Sequence, residues 1–400
     1  MRAVQLLFVL YGAALATIAP FVSVMLRERG LEPAAVGLVA SVSALGFTIA
    51  VPIWGHLADV TLGRARTLQV AAIGAALSMV AFGLPVPAVV LGAMVVAYSA
   101  FQSALGPLTD AVAVGLLAGR VHEYGRIRYL SSLSYGIVLI GAGFFYNDTG
   151  FGVVPYLWAT GTVLLATGLF FVKEPRNRPP AAAHGRGGSA RAALRVQPRL
   201  PFVLLVFGLM FFAIMGAYTF FNIRLVEVGG QPSDIALGGG LAALTEIPGI
   251  LLGARFAKRF GLRGLFAASA VGYSLCILSW AVIDQPPIMI ATRAVSGPAF
   301  AGLWVACVLT MNLLLPQGLQ ATGQALYQTT AFGVGAMLAN AAGGVVYQVF
   351  GPPTLFAIAA FVGMGAAGLA WLALPRPGET RAPELDAAEP LEPRAALAPP

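Results

Sequence analysis

The stretch that decides the fold is residues 202–224, FVLLVFGLMFFAIMGAYTFFNIR, whose only charge is the arginine at its end. A helix crosses the hydrocarbon core of a bilayer in roughly 20 residues, and this run is long enough to do so. Inside a bilayer every backbone N–H and C=O needs a partner within the protein, which a helix supplies by itself. The run therefore predicts one membrane-spanning helix.

Apolar windows of similar length recur along the whole chain. The complete set is 4–26, 36–58, 67–85, 88–116, 127–146, 151–172, 202–224, 236–256, 265–283, 287–314, 322–347 and 354–374. The 400 residues are 58% hydrophobic and 10% charged, whereas a soluble domain carries about 25% charged residues. These values exclude a water-soluble fold, predict twelve spans and leave no room for a separate catalytic domain.

The net charge of +8 is distributed unevenly over the connections between spans. Alternate connections carry Arg64 and Arg66, then Arg120 and Arg126, then seven basic residues within 173–199, then Lys258, Arg259 and Arg263. The intervening connections carry Arg27, Arg29 and Arg224. Cytoplasmic loops of membrane proteins are enriched in Lys and Arg. We therefore expect both termini in the cytoplasm, and we expect no nucleic-acid partner.

Composition divides the chain into two halves. Residues 173–200 are rich in Pro, Gly, Ala and Arg and have no helical apolar period, which predicts a cytoplasmic linker between residues 1–172 and 201–374. The tail, residues 375–400, is rich in Pro, Ala and Glu and is predicted to be disordered. The expected fold is an all-α membrane protein of two pseudo-symmetric six-helix bundles, which is a transporter architecture.

A local repeat supports this division. GHLADVTLGRAR (residues 55–66) follows the second window, and ARFAKRFGLR (residues 254–263) follows the eighth. Their glycines, Gly63 and Gly261, are 198 residues apart. Corresponding loops at corresponding places indicate that the two halves are repeats in parallel relation.

The first of these loops resembles the cytoplasmic signature of the major facilitator superfamily. The residues that carry the resemblance are Gly55, Asp59, Gly63 and Arg64. The resemblance implies a conformational latch, in which the carboxylate caps a helix end and the arginines bind carboxylates. This chain departs from the pattern, because three residues (60–62) separate Asp59 from Gly63 where the family usually has two, and Lys258 replaces the carboxylate in the second half. An ordinary charged turn is the alternative.

A narrower resemblance lies in the fourth and fifth windows, where GPLTD (residues 106–110) is followed by EYGRIR (residues 123–128). These segments are similar to the oligosaccharide:proton symporter and phenylpropionate permease branch. In that branch an acidic residue and an arginine eighteen positions later hold the substrate, and Asp110 and Arg128 have this spacing. The resemblance also implies that Tyr135 stacks on the substrate. A structural ion pair without substrate contact is the alternative.

Four charges lie within or beside apolar windows: Asp110, Arg128, Glu246 and Arg293. At about 2.5–3.5 kcal/mol each they would cost roughly 10–14 kcal/mol if unpaired, so we expect them to line a polar cavity. Arg293 would then face Asp110, Arg128 and Tyr135 from the second half and favour an anionic group. Glu246 is the expected proton-coupling acid, with Asp110 as the other candidate, because a carboxylate in a low-dielectric cavity exchanges its proton when a cation approaches. An ion pair that fixes two helices is the alternative for Glu246.

Further candidate substrate-binding residues are Gln102, Trp304 and Gln324. For the uncharged polar residues the alternative is hydrogen bonding between helices, and for aromatic residues such as Tyr98 and Tyr218 it is packing. No metal site and no cofactor is predicted, and the proton is the expected coupling ion. The expected partners are a small-molecule solute, protons and the lipid bilayer, and a monomer is expected.

The function that the sequence favours is secondary active transport in the bacterial inner membrane, without ATP hydrolysis and without enzymatic chemistry. The expected reaction is proton-coupled uptake of a small polar or anionic organic solute, such as a sugar or an aromatic or other carboxylate, by alternating access. One alternative is proton-antiport efflux of drugs or metabolites. Another is a membrane receptor or structural protein that uses the same fold without net transport.

Overall fold

The structure, a computed structural model, describes residues 2–117, 124–171 and 190–376. Most of the predicted linker, the predicted tail from residue 377 onward, and the side chains of residues 125, 126, 171 and 254 lie outside the described part. Within it every regular element is a helix. The expectation of an all-α fold is therefore confirmed.

Twelve helices are long and apolar enough to cross a membrane, as the sequence predicts. They are α1 (Arg2–Glu28), α2 (Pro33–Thr61), α3 (Arg64–Gly83), α4 (Ala88–Leu117), α5 (Ile127–Thr149), α6 (Phe151–Gly168), α7 (Leu200–Glu227), α8 (Pro232–Gly253), α9 (Arg255–Ser279), α10 (Pro286–Leu314), α11 (Gln317–Phe350) and α12 (Pro352–Ala373). The protein is therefore a multi-pass membrane protein.

The turn glycines show that the two halves are repeats. Among the described residues, six glycines have a positive φ, a conformation that a residue with a Cβ rarely adopts. They form three pairs at equivalent places: Gly30 with Gly229, Gly63 with Gly261, and Gly150 with Gly351. Their separations of 199, 198 and 201 residues extend the single repeat seen in the sequence to three of the connections within each half.

The loop between α2 and α3 accommodates its additional residue by a local change of helix type. Residues Leu57–Thr61, at the end of α2, form one turn of π-helix. A π-helical turn holds one more residue than an α-helical turn, which is how helices absorb single insertions. Gly63 then turns the chain, with φ at +86°.

Two contacts that the structure describes hold the predicted latch to its own half. Asp59 Oδ1 lies 3.7 Å from Arg64 Nε. Arg64 Nη1 also donates to the carbonyl oxygen of Ala111 in α4, at 3.5 Å. Capping of a neighbouring helix end by Asp59 is not among the hydrogen bonds of the described residues and stays a prediction.

The linker differs from its prediction at its second end. Residues Ala190–Val196 (ARAALRV) form a short helix, where the sequence analysis expects irregular chain. Alanine, leucine and arginine are strong helix formers, and Ala193 is fully buried where this helix packs against α11. The helix propensity of these residues and the contact of Ala193 with α11 therefore stabilise a helix although the segment has no apolar period.

Two ends of the bundle have to be distinguished. We call the end that carries Gly63 and Gly261 the basic end, because Arg64, Arg66 and Lys258 lie there, and we call the other the opposite end. At the opposite end α2 crosses α11 so closely that a Cβ added to Gly37 would lie 2.3 Å from the carbonyl oxygen of Asn340.

The second close crossing at the opposite end joins α5 to α8. There a Cβ added to Gly143 would lie 2.3 Å from the Cβ of Ala236. Both crossings need glycine because the two helices touch at backbone distance, as small residues permit in membrane bundles. The two halves therefore meet tightly at this end.

Polar contacts between the halves reinforce the closure of the opposite end. Asn147 of α5 and Ser233 of α8 exchange two hydrogen bonds of 2.9 Å, one to the hydroxyl and one from the backbone N–H. The buried amide of Asn222 in α7 donates to the carbonyl oxygen of Pro20 in α1 at 2.8 Å. Glu227 accepts a hydrogen bond from Tyr347 and lies 3.7 Å from Arg27 of the first half.

Candidate functional site: a cavity between the two halves

A cavity of about 330 Å³ lies between the halves, on the opposite-end side of the bundle. The first half contributes Ser43, Tyr98, Ser99 and the predicted site residue Gln102, and the second half contributes Tyr218, Asn222 and Phe332. Ser43 Oγ is buried and has no hydrogen-bond partner among the described residues. Its hydroxyl is therefore available to a solute.

Arg293 lies beside this cavity, behind Tyr218, and is held among aromatic rings. The carbon at the centre of its guanidinium lies 5.4 Å from the ring centroids of both Tyr218 and Phe221 and 5.8 Å from that of Trp280. Aromatic faces attract cations, most strongly where water is excluded. Arg293 is 6% exposed, so this contribution is made in a nearly dry environment.

The positive charge of Arg293 has no counter-ion in the described part of the chain. The ion pairs among the described residues involve other arginines, and the Nη1 atom of Arg293 makes no hydrogen bond there. The hydroxyl of Tyr273 accepts a hydrogen bond from the guanidinium, but a hydroxyl carries no charge. A buried cation with an unused donor is costly unless an anion joins it.

Tyr135 lies close to Arg293, as the sequence analysis expects. It is within electrostatic range of Tyr218, Tyr98, Arg293 and Tyr11, in that order of strength. Tyr11 in turn interacts with Arg128 and Asp110. Tyr135 and Tyr11 therefore connect the surroundings of Arg293 with those of the Asp110–Arg128 pair near the basic end. The aromatic side chains of Tyr98 and Tyr218, for which packing was the alternative, line the cavity.

Asp110 and Arg128 form an ion pair, with 3.2 Å between Oδ1 of the carboxylate and Nε of the guanidinium, and their contact with substrate stays a prediction. Their side chains remain 33% and 44% exposed, so the pair is accessible. Tyr124, just before α5, hydrogen-bonds to Asp110. Burial raises the pKa of the Tyr124 hydroxyl, and this hydrogen bond raises it further.

The expectation that Arg293 faces this ion pair is wrong. Both α4 and α10 start at the opposite end; Asp110 lies 22 residues into α4, and Arg293 lies 7 residues into α10. At 1.5 Å per residue the two side chains start at depths of about 33 and about 10 Å. Because of this difference, the four expected residues form two sites: Tyr135 and Arg293 near the cavity, and Asp110 with Arg128 near the basic end.

Trp304 belongs to an aromatic wall of the second half. Its ring centroid lies 5.8 Å from that of Phe332, 6.1 Å from Tyr327 and 6.4 Å from Phe300. Phe332 lines the cavity, and Trp304 is 36% exposed. Both halves therefore contribute polar and aromatic side chains to the cavity, and Trp304 packs behind its Phe332.

Gln324 is engaged in contacts between helices. Its amide donates to the carbonyl oxygen of Val308 at 3.0 Å and to Oδ1 of Asn312 at 3.3 Å, both in α10. The alternative of helix-to-helix hydrogen bonding therefore describes its contacts in this conformation.

Glu246 is half-buried in α8, and no described residue forms an ion pair with it. The residues around it pack on α10: a Cβ on Gly249 would lie 2.6 Å from the Cα of Pro298, and one on Gly297 would lie 2.3 Å from the carbonyl oxygen of Ala242. Glu246 therefore sits at a tight α8–α10 contact as an unpaired carboxylate. The alternative of a helix-fixing ion pair is not formed in this conformation.

Comparison with known proteins now identifies the family. The model of the MFS_1 like family matches residues 2–358, nearly the whole described chain. The chain belongs to this family of the major facilitator superfamily. It is a transporter rather than an enzyme, as the loop of residues 55–66 suggests.

Individual relatives agree with this assignment over almost their full lengths. The maltose permease of Geobacillus stearothermophilus is 28% identical over 364 residues, 90% of each chain. The multidrug resistance protein MdtG of Dickeya zeae is 28% identical over 387 residues, 91% of this chain and 92% of its own. Among solved structures, the nucleoside transporter NupG superposes with a TM-score of 0.80 at 17% identity, over 93% of this chain and 99% of its own. The crystal structure of a D-xylose-proton symporter superposes with a TM-score of 0.67 at 15% identity, over 95% and 98%.

Several residues that line the cavity or contact Arg293 were not singled out from the sequence. Ser43, Asn222 and Tyr273 are single polar side chains in apolar spans, and a single one is usually satisfied by its own helix. The sequence could have marked Asn222 and Tyr273 as candidate site residues, because an amide or a phenol in a membrane helix needs a hydrogen-bond partner.

Proposed function

We propose that this transporter is a proton-coupled symporter that imports a small polar organic solute bearing an anionic group across the bacterial inner membrane. The basic end faces the cytoplasm, in accordance with the enrichment of cytoplasmic loops in Lys and Arg. The solute binds in the cavity between the halves, and its negative charge is balanced by Arg293.

The observation that carries the proposal is the state of Arg293. The guanidinium is 6% exposed, has no carboxylate partner in the described residues and keeps Nη1 unused. A solute carboxylate would supply both the missing charge and the missing hydrogen-bond acceptor. Tyr218 contacts this cation and lines the cavity, Ser43 also lines the cavity, and both hydroxyls can donate to the same solute.

Closure at one end supports the transport cycle. The halves touch at backbone distance around Gly37 and Gly143, while the ion pair of Asp110 and Arg128 near the basic end stays accessible. In a cycle of alternating access this is the inward-facing state. Rocking of the two halves would separate the opposite end and carry the cavity to the outside.

A thermal-shift screen of sugars, nucleosides and aromatic acids on the purified protein tests the solute class. We expect stabilisation by acids and little by neutral sugars. Arg293→Gln would weaken binding about 10- to 100-fold, because a hydrogen bond to a charged group contributes about 1.5–3 kcal/mol. Arg191→Gln, on the exposed linker helix, is the matched control. Equal stabilisation of both variants by the acids would show that Arg293 does not bind the solute.

Proton coupling is assigned to Glu246, because it is an unpaired carboxylate within a span. Glu246→Gln should abolish accumulation of the solute against its gradient and keep exchange of internal for external solute. Asp110→Asn is the comparison, since Asp110 is the other candidate for the proton-coupling acid. Accumulation that survives Glu246→Gln and is lost with Asp110→Asn would transfer the role to Asp110.

Efflux is the second candidate, and the aromatic wall of Trp304 and Phe332 favours it, since such a surface suits hydrophobic compounds. MdtG carries the name of a multidrug resistance protein and is as similar to this chain as the maltose permease. Resistance conferred on a drug-sensitive host and lost with Trp304→Ala would support efflux. Absence of flux for every compound in vesicles would instead favour a receptor or structural role.

A further inference from the structure

A groove of about 400 Å³ runs along the outside of the second half, between α8, α9 and α10. It is lined by small and apolar residues, among them Gly253, Ala268 and Gly302, and it shares no residue with the solute cavity. Leu252 and Val295 on its walls are more than half exposed. Since exposed apolar residues of a membrane bundle face lipid, the groove opens to the hydrocarbon of the bilayer.

The depth of the groove comes from glycine and alanine at positions where packing leaves room for more. A Cβ added to Gly253 would meet its nearest neighbour, Val305, at 3.8 Å, an ordinary van der Waals contact. Ala268 is exposed on the neighbouring helix. A larger side chain would fit at both places, so the contacts between helices do not explain why these residues are small.

Three cations stand where the groove meets the basic end. Arg255, Lys258 and Arg259 are exposed, and none forms an ion pair with a residue that the structure describes. The sequence holds no acidic residue from 247 to 283 or along α10. The nearest acid of the groove-forming helices along the chain is Glu246 of α8, nine residues before Arg255, and among the described residues it forms no ion pair with this cluster.

We propose that this groove is a binding site for an anionic phospholipid, with an acyl chain between α8 and α9 and the phosphate headgroup at Arg255, Lys258 and Arg259. The charge of the cluster matches a phosphodiester, and basic pockets between membrane helices bind such headgroups. The apolar groove lies next to the basic cluster, just as the acyl chain of a phospholipid lies next to its headgroup. The site is independent of the proposed solute.

Native mass spectrometry of the full-length protein released from detergent micelles tests the site. The probes are dioleoyl phosphatidylglycerol and dioleoyl phosphatidylcholine at equal concentration. We expect one phosphatidylglycerol to be retained in preference to phosphatidylcholine. The triple variant R255Q/K258Q/R259Q should lower the lipid-bound fraction at least tenfold. The variant R2Q/R191Q/R195Q removes the same charge from exposed positions elsewhere and should retain the lipid.

A second variant separates the groove from general surface charge. Ala268→Leu fills the groove and keeps all three cations, so it should also lower retention, while its thermal unfolding without lipid stays like that of the parent. Equal retention by all variants would overturn the proposal. Loss with the charge variant alone would also overturn it, because the headgroup would then bind without the groove. A dimer that appears in place of the lipid-bound monomer would show that a second copy covers this face.

Discussion

Substituting Gly37 by valine should drive the transporter out of the conformation described here. A Cβ at Gly37 would lie 2.3 Å from the carbonyl oxygen of Asn340 and 2.8 Å from the Cα of Gly344. Non-bonded carbon atoms attract best at about 3.5–4.0 Å, so α2 and α11 would have to separate by more than 1 Å. Both contacts are to backbone, which cannot rotate away.

The size of the effect follows from the cost of overpacking, which is about 1–3 kcal/mol. The clash exists only while the opposite end is closed, because opening separates α2 from α11. The whole cost therefore acts on the equilibrium between the closed and open states. A difference of 1–3 kcal/mol changes their ratio by about 5- to 150-fold in favour of the open state.

Distances between two spin labels measure this ratio directly. Leu84 and Val282 occupy equivalent loops of the two halves at the opposite end and are 52% and 78% exposed. Labels placed there, in a background without the native cysteines, should report mainly a short distance in the parent and a long one in Gly37→Val. Gly141→Val is the control, since a Cβ at Gly141 would have no neighbour within 4 Å. Unchanged distances in a folded Gly37→Val protein would refute the assignment of the closed end.

Three smaller effects follow from single contacts. Asn147→Ala removes two hydrogen bonds between the halves, and at about 1 kcal/mol each it should shift the same label distances towards the open state by less than Gly37→Val does. Trp158→Phe removes a 3.0 Å hydrogen bond to the carbonyl oxygen of Ala75, which keeps its 2.9 Å hydrogen bond from Ser78 Oγ, and should cost about 0.5–1.5 kcal/mol of stability in thermal unfolding. Trp371→Phe, on the exposed surface of α12, should have little effect. Gly261→Ala places a Cβ at φ +74° and should also lower the midpoint of thermal unfolding, while Gly115→Ala, in a helix with open space around it, should not.

The spans were predictable from the sequence because membrane crossing is a local property. The window 202–224 becomes Leu200–Glu227, and the other windows agree similarly, since length and apolarity alone decide them. The repeat of Gly63 and Gly261 was also predictable, because a turn with a positive φ depends on the residue at that one position. The helix Ala190–Val196 was not predicted because it is too short to show a helical period of apolar residues.

The arrangement of the site was only partly predictable. The pairing of Asp110 with Arg128 joins neighbouring helices of one bundle, and the spacing that predicts it is local. The position of Arg293 relative to that pair depends on how deeply residues of different halves lie in the membrane, and residue type alone does not give that depth. Gln324 shows the same limit, because the sequence does not say whether an amide faces a cavity or the carbonyl of Val308.

The most direct test of the proposed transport is proton movement into vesicles that contain the purified protein and a trapped pH-sensitive dye. An aromatic acid that stabilises the protein in the thermal-shift screen is added outside, and labelled acid is followed in parallel. We expect entry of the acid together with internal acidification, both lost in Arg293→Gln and both kept in Arg191→Gln. Entry of the acid without acidification would contradict proton-coupled import. Acidification that survives in Arg293→Gln would contradict the role of Arg293 in solute binding.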